Sequence, residues 1–218
     1  MDILKILIVL AVVVGSVILH ELAHGLVAYW LGDRTAKDAG RLTLNPLKHI
    51  DPYMSILVPV LLYILNAPVF GGAKPVPVNY RNLKWREWGM AFVAFAGPFM
   101  NFLLAFIAFL IGYFSGLLGV ASGSLYYVAN SLPAFVIVEI VMINLGFMVF
   151  NLIPIPPLDG SRILYAIAPD GVRTFMMNLE AYGVFIVYGL IFFFGPLFSN
   201  IMNGCLNWLL NLFIFIVK

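Results

Sequence analysis

Three ionisable side chains interrupt an apolar stretch near the start of the chain, in His20-Glu21-Leu22-Ala23-His24. A spacing of four puts both imidazoles on one helical face, one turn apart, where they can share one metal ion. Glu21, next to the first imidazole, can reach a water on that metal. In a soluble helix this pattern could be a solvated surface. In an apolar helix the cost of desolvating three such groups has to be offset by partners, which favours the metal reading. Two histidines do not complete a site, because a catalytic zinc takes three protein ligands and leaves one position open. Asp159 is the better candidate for the third. The remaining histidine, His49, lies in the polar loop Asn45-Pro46-Leu47-Lys48-His49 and reads as interfacial. Asp159 follows Asn151-Leu152-Ile153-Pro154-Ile155-Pro156-Pro157-Leu158, where prolines break a helix. Backbone freed at membrane depth is tolerated only against protein or a wet cavity. Asp159 also has a second reading, as an N-cap for a helix beginning near Ser161.

The elements that hold these residues must be membrane-spanning. Of 218 residues, 63% are hydrophobic and 10% charged, against about 25% charged in an ordinary soluble domain. That excludes a soluble enzyme, a nucleic-acid binder and a disordered tail, and leaves a polytopic membrane protein. The net charge of +2 points to no acidic partner, and the single cysteine, Cys205, excludes a disulfide framework. Residues 88–138 and 181–217 contain no Asp, Glu, Lys or Arg. The pattern predicts helices near 3–32, 88–114, 132–153, 182–196 and 200–217, punctuated by the turn 116–130 and by Gly195-Pro196. Met1–Leu19 is read as a retained span, because it has no small-x-small cleavage site and runs on into the histidine motif. His20 and His24 then lie roughly 10–17 Å from the helix end near Leu31. Glu139 lies about 18 Å from Asn151, towards the other face, and reads as interfacial. Gly116–Gly123 has no phosphate-loop pattern and reads as a turn.

The apolar segment 52–70 is short and carries Pro59, Asn66 and Pro68, and both loops flanking it are basic. A re-entrant reading puts both loops in the cytoplasm, with the turn 115–131 and the N-terminus outside and the C-terminus inside. A short conventional span is the alternative. Arg41–Leu44 and Lys74–Val78 read as extended pieces of a small sheet beside the membrane, with Pro75 and Pro77 on one edge. The expected fold is an all-α polytopic membrane protein of about five to six transmembrane helices, with one re-entrant segment and a small cytoplasmic-side β element. It forms a single domain over 1–218, with a catalytic core over about 3–165 and C-terminal helices over about 180–217.

The helix-borne His20-Glu21-x-x-His24 and the later Asn151-x-x-Pro154-x-Pro156-x-x-Asp159-Gly160 together resemble the site-2 protease family of intramembrane zinc metalloproteases. Ala96-Gly97-Pro98-Phe99-Met100-Asn101 is similar to the glycine-proline-asparagine motif on that family's middle core helix. The loop Gly40–Pro52 looks like the small bacterial and archaeal branch, which carries no PDZ or CBS module. The resemblance runs from about residue 15 to 165. It implies one zinc ion (Zn2+) per chain on His20, His24 and Asp159, with Glu21 as general base and Asn101 and Asn151 near the substrate. It also implies transmembrane protein substrates and a multi-pass position in the cell membrane, with the site towards the cytoplasm.

The implied reaction follows from the residue types. Zinc polarises water and the scissile carbonyl, and Glu21 moves a proton from the water to the leaving amine. Asn101, Asn151 and His49 are the candidate donors to the oxyanion. Their other readings are an interhelical hydrogen bond, a helix-break partner and an interfacial histidine. A transmembrane substrate must first unwind, since its peptide bonds are hidden in its own hydrogen bonds. The unwound strand could then pair with the edge at 73–79. The rivals are a metal-binding transporter or sensor without hydrolysis, and an inactive scaffold for transmembrane helices. Glu21 separates hydrolase from transporter, because only a hydrolase needs a base beside the metal.

Overall fold

The computed structural model describes residues 3–49, 51, 57, 74–121, 124–127 and 131–217. The segment 52–70, Leu57 excepted, lies outside the described residues. The elements are α1 (Ile3–Trp30), α2 (Thr35–Asp38), α3 (Arg86–Phe114), β1 (Leu118–Ala121), β2 (Ser124–Tyr127), α4 (Leu132–Asn151), α5 (Asp159–Ile167), α6 (Asp170–Glu180) and α7 (Gly183–Val217). The protein is mostly helical, and α1, α3, α4 and α7 are long and apolar enough to cross a membrane. The first three lie within two residues of the bounds that the long apolar runs predict.

The two helices expected after residue 181 are one. In α7 a single non-helical residue, Phe194 (φ −118°, ψ 21°), precedes Gly195-Pro196. Proline removes one hydrogen bond and crowds the preceding turn, and here the helix bends without opening into a loop. Residues 183–193 extend about 16 Å and residues 195–217 about 34 Å, so only the second arm is long enough to cross. Gly183 abuts the backbone of Pro156, beside the start of α5. Leu209, Leu210, Phe213 and Ile214 pack at the other end with Phe109, Leu118 and Val141, and Val217 joins the same cluster. α7 therefore runs from the α5 end of the bundle to the β1–β2 end, so the C-terminus lies at the end opposite Asp159, where the sequence reading expects both at one end. The antiparallel pair β1–β2, with Leu118 opposite Tyr127, lies in the turn expected outside. It forms the one ladder among the described residues. Neither Arg41–Leu44 nor Lys74–Val78 carries one there.

Lipid tails are as apolar as leucine, so burial alone does not bind helices together inside a membrane. Close packing and polar contacts do. On α3, Gly97, Asn101, Ala105, Ala108 and Gly112 recur at helical spacing and are buried. Gly112 lets the side chain of Leu118 and that of Ile137 of α4 lie where a Cβ would stand. Phe109 and Phe213, both fully buried, fill the space between α3 and α7 with ring centres 5.4 Å apart.

The opposite end is tied by backbone and carboxylate contacts. The Lys84 N–H donates to the Leu31 carbonyl at 2.8 Å, so the end of α1 and the start of α3 are adjacent. Asp33, fully buried, accepts from Thr35 N–H and Oγ1, from Asn79 N–H at 2.7 Å and from Asn82 Nδ2 at 3.1 Å. It thereby fixes the chain at 79–82 onto the exit of α1. Burial pushes the pKa of Asp33 up, but hydrogen bonds from Thr35, Asn79 and Asn82 outweigh it and hold the carboxyl below its usual range. A depressed folded pKa contributes stability that is complete above the unfolded value of about 4 and is lost as pH falls through the lower folded value. Asp33→Asn is expected to cost about 1–3 kcal/mol at neutral pH. In thermal melts of detergent-solubilised protein, the gap between wild type and variant should close below about pH 4.

Candidate metal centre

His20 and His24 come from α1 and are buried, and Asp159 comes from the first turn of α5. The imidazole Nε2 atoms are 3.0 Å apart, and each is 3.2 or 3.4 Å from Asp159 Oδ2. These three atoms form the one such group among the described residues. The N-cap position of this helix is Leu158 and Asp159 is its first residue, so the N-cap reading gives way to contact with the imidazoles.

The protons explain why these atoms need a cation. His20 Nδ1 lies 2.6 Å from Asn101 Oδ1, and His24 Nδ1 lies 2.7 Å from the Val93 carbonyl. Both partners are acceptors, so each neutral imidazole carries its hydrogen on Nδ1 and turns the Nε2 lone pair inward. Asp159 Oδ2 is buried with no hydrogen-bond donor. Three acceptor atoms thus face one another at separations that repel unless a proton or a metal cation lies among them. Ligand atoms about 2.0–2.1 Å from a tetrahedral zinc stand about 3.3 Å apart, and the observed triangle matches that spacing. Gly97 faces the imidazoles across α3. A Cβ there would fall 2.5 Å from His20 Cε1 and 2.6 Å from His20 Nε2. Gly160 likewise lets α5 lie on the backbone of Leu152 and Ile153, which turns Asp159 inward.

A cavity of about 410 Å³ opens on this cluster, walled also by Glu21, Pro75, Val76, Tyr80, Asn151, Pro157 and Arg162. A larger groove of about 580 Å³ between α4 and α7 is lined almost wholly by apolar side chains and lacks this chemistry. Glu21 Oε2 accepts the Val76 N–H at 2.7 Å. Val76 stands between Pro75 and Pro77, so it carries the only N–H of the three residues. The strap at 74–78 is held in turn by Arg41 Nη2, 2.7 Å from the Lys74 carbonyl, and by the Lys74 N–H on the His49 carbonyl.

The other residues singled out from sequence separate here. Asn151 lines the cavity, with its Nδ2 donating to the Phe147 carbonyl at 3.0 Å. Asn101 is fully buried behind His20 and is not part of the cavity wall. Its Nδ2 donates to Asn144 Oδ1 at 2.7 Å, and Asn144 Nδ2 donates to Ser16 Oγ at 2.9 Å. His49 is buried in its loop, Nε2 2.8 Å from the Thr43 carbonyl, and Glu139 is not in the wall. Sequence reasoning passed over Ser16 and Asn144, although polar residues inside apolar helices are themselves a signal. It also passed over Tyr80 and Arg162. Arg162 had a signal, since it follows Asp159 by three in a helix. Tyr80 had none.

A model described as peptidase family M50 matches residues 8–136, a stretch that includes His20, Glu21, His24 and Asn101 and stops before Asp159. The chain is 41% identical over 192 residues to the Bacillus subtilis (strain 168) protein named "Putative zinc metalloprotease YwhC", covering 88% of this chain and 82% of that one. It is 32% identical over 151 residues to "Putative zinc metalloprotease Rip2" of Mycolicibacterium smegmatis, covering 66% of this chain and 51% of that one. The Rip2 protein of Mycobacterium tuberculosis (strain H37Rv) is 27% identical over 198 residues, which is 90% of this chain and 70% of that protein. No solved structure matches.

Two substitutions test the geometry. Gly97→Ala should strip the protein of metal, whereas Gly15→Ala, where a Cβ meets nothing within 4 Å, should leave the metal content unchanged. Asn144→Leu should lower zinc affinity by about 10–100-fold through His20, read by competition with a chromophoric chelator.

Proposed function

This chain belongs to peptidase family M50, and from that premise we propose that it is a zinc endopeptidase that cuts transmembrane segments of other membrane proteins. The family is that of the site-2 proteases, and the chain is a zinc metalloprotease. We assign the ligands as His20, His24 and Asp159, one zinc per chain, and the general base as Glu21. The observation that carries the assignment is the convergence of three acceptors with an orphaned carboxylate oxygen.

Lewis-acid polarisation of the scissile carbonyl and of the attacking water is the chemistry a bound zinc supplies. Everything else falls to the chain. Asn101 and the Val93 carbonyl fix the imidazole tautomers. Glu21, with Oε2 tied to the Val76 N–H, takes the proton of the water on its other oxygen and passes it to the leaving amine nitrogen. Asn151 contacts the substrate from the end of α4. An unwound substrate strand that pairs with the strap at 74–78 is left with the strap's carbonyls and the Val78 N–H, because the Lys74 and Val76 N–H groups are engaged and the prolines have none.

The placement of the chain follows from charge. Ten of the twelve basic residues lie between 34 and 173, in segments joined to the site end, which makes that end cytoplasmic under the positive-inside rule. α1, α3, α4 and α7 each cross the cell membrane once. The Lys84–Leu31 contact supports one membrane side for the exit of α1 and the start of α3.

Glu21→Gln separates this reading from its rivals. In proteoliposomes with a reporter transmembrane substrate, cleavage should fall by at least about 100-fold while zinc content stays at the wild-type level. Retained cleavage would remove Glu21 from the mechanism. A loss of zinc would make Glu21 a structural residue and return the transporter or scaffold reading.

A further inference from the structure

We propose that Arg162 is a catalytic residue that holds the negative charge developing on the scissile carbonyl oxygen. The assignment rests on the peptidase reading above and completes it, because a cationic donor for that oxygen is missing from the residues discussed so far. Asn101 is fully buried behind His20, with both ends of its amide bonded. His49 lies in the loop and is not in the cavity wall. Asn151 does face the cavity, but one of its two amide N–H groups goes to the Phe147 carbonyl and the amide carries no charge to set against an oxyanion. Apart from the imidazoles, Arg162 is the one cationic side chain in the wall as described.

Its position follows from the helix that carries a ligand. Arg162 is three residues after Asp159 in α5, so the two are neighbours on one face, with Cβ atoms about 5–6 Å apart. The turn that delivers Asp159 to the imidazoles therefore delivers a guanidinium to the rim of the same cavity. That guanidinium rests over the Tyr80 ring, 5.4 Å from its centre. Stacking on an aromatic face orients an arginine without using its N–H donors. On its outer side Arg162 Nη2 donates to Glu180 Oε1 at the end of α6. Glu180 is exposed and is not in the wall. A guanidinium has five N–H donors, so this one contact leaves others for the cavity. The other charged walls are the carboxylates of Glu21 and Asp159. Without a fixed cation opposite them, an oxyanion would form in a field set against it.

The step balances without a further reactant. The water oxygen forms a bond to the carbonyl carbon while Glu21 takes one water proton. The carbonyl π pair moves onto oxygen, beside the Arg162 guanidinium. When that pair returns, the C–N bond breaks and the nitrogen takes the proton from Glu21. The products are a carboxylic acid and an amine, and the acid then gives its proton to the amine, which leaves a carboxylate and an ammonium.

The test uses the full chain in proteoliposomes with the same reporter substrate, comparing Arg162→Ala and Glu180→Gln with wild type. Arg162→Ala should lower kcat by about 100–1,000-fold, with KM within about threefold and zinc content unchanged. Glu180→Gln should stay within about threefold of wild type, as expected for an exposed ion pair. An unchanged kcat in Arg162→Ala, or a change confined to KM, would overturn the assignment and leave the peptidase reading standing. So would Glu180→Gln falling as far as Arg162→Ala, which would make the ion pair a structural latch. If Arg162→Ala does not fold, Arg162→Gln carries the same expectation and the same overturning results. Failure of the wild-type protein to cleave would strike the peptidase reading itself, and this assignment with it.

Discussion

Three electron-pair acceptors, His20 Nε2, His24 Nε2 and Asp159 Oδ2, are held within 3.4 Å of one another in a buried pocket. In a low dielectric that arrangement is unfavourable unless a cation lies among them. Most of the structure at this end serves to impose it. Asn101 and the Val93 carbonyl take the Nδ1 protons and so force the lone pairs inward. Gly97 keeps α3 from filling the space. The proline break after α4, with Gly160 against the Leu152 carbonyl, swings Asp159 onto helix α1 from another part of the chain.

The membrane explains how such a cluster is held. Apolar faces do not seek each other in lipid, so helix placement rests on small residues and hydrogen bonds. The chain Ser16–Asn144–Asn101–His20 joins α1, α4 and α3 through polar groups that would be costly to leave unpaired in hydrocarbon. It ends on His20, so the contact that fixes the bundle also fixes the imidazole. At the end of the bundle where α1 exits, the ties change character. Asp33, Arg41 and backbone amides hold the strap at 74–78 so that its single central N–H meets Glu21.

The part of this legible in sequence was the part with a strong physical cost. Ionisable residues in an apolar helix have few explanations, so His20, Glu21 and His24 stood out. Asp159 stood out because three prolines before it expose backbone. The helices α1, α3 and α4 followed from long apolar runs with few charges. Roles decided by contact were not legible. Asn101 has the same side chain whether it meets substrate or supports a histidine, and only the structure places it behind His20. Asn144 and Ser16 lie 128 residues apart, and no local pattern links them. Gly195-Pro196 marks a bend as readily as a turn, which is why two helices were expected where α7 is one. The prolines of 74–78 signalled an extended piece with few N–H donors, but that piece carries no ladder among the described residues. The use of its remaining N–H to hold a carboxylate depended on a fold that brings residue 76 to residue 21.

The claim on which the rest turns is that the three acceptors hold a metal. Elemental analysis of detergent-solubilised protein, purified without chelators, tests it with no knowledge of the substrate. One zinc per chain, removed by His24→Ala, is the predicted result. No zinc in the purified protein, and none taken up when zinc is added back, would contradict the account at its base.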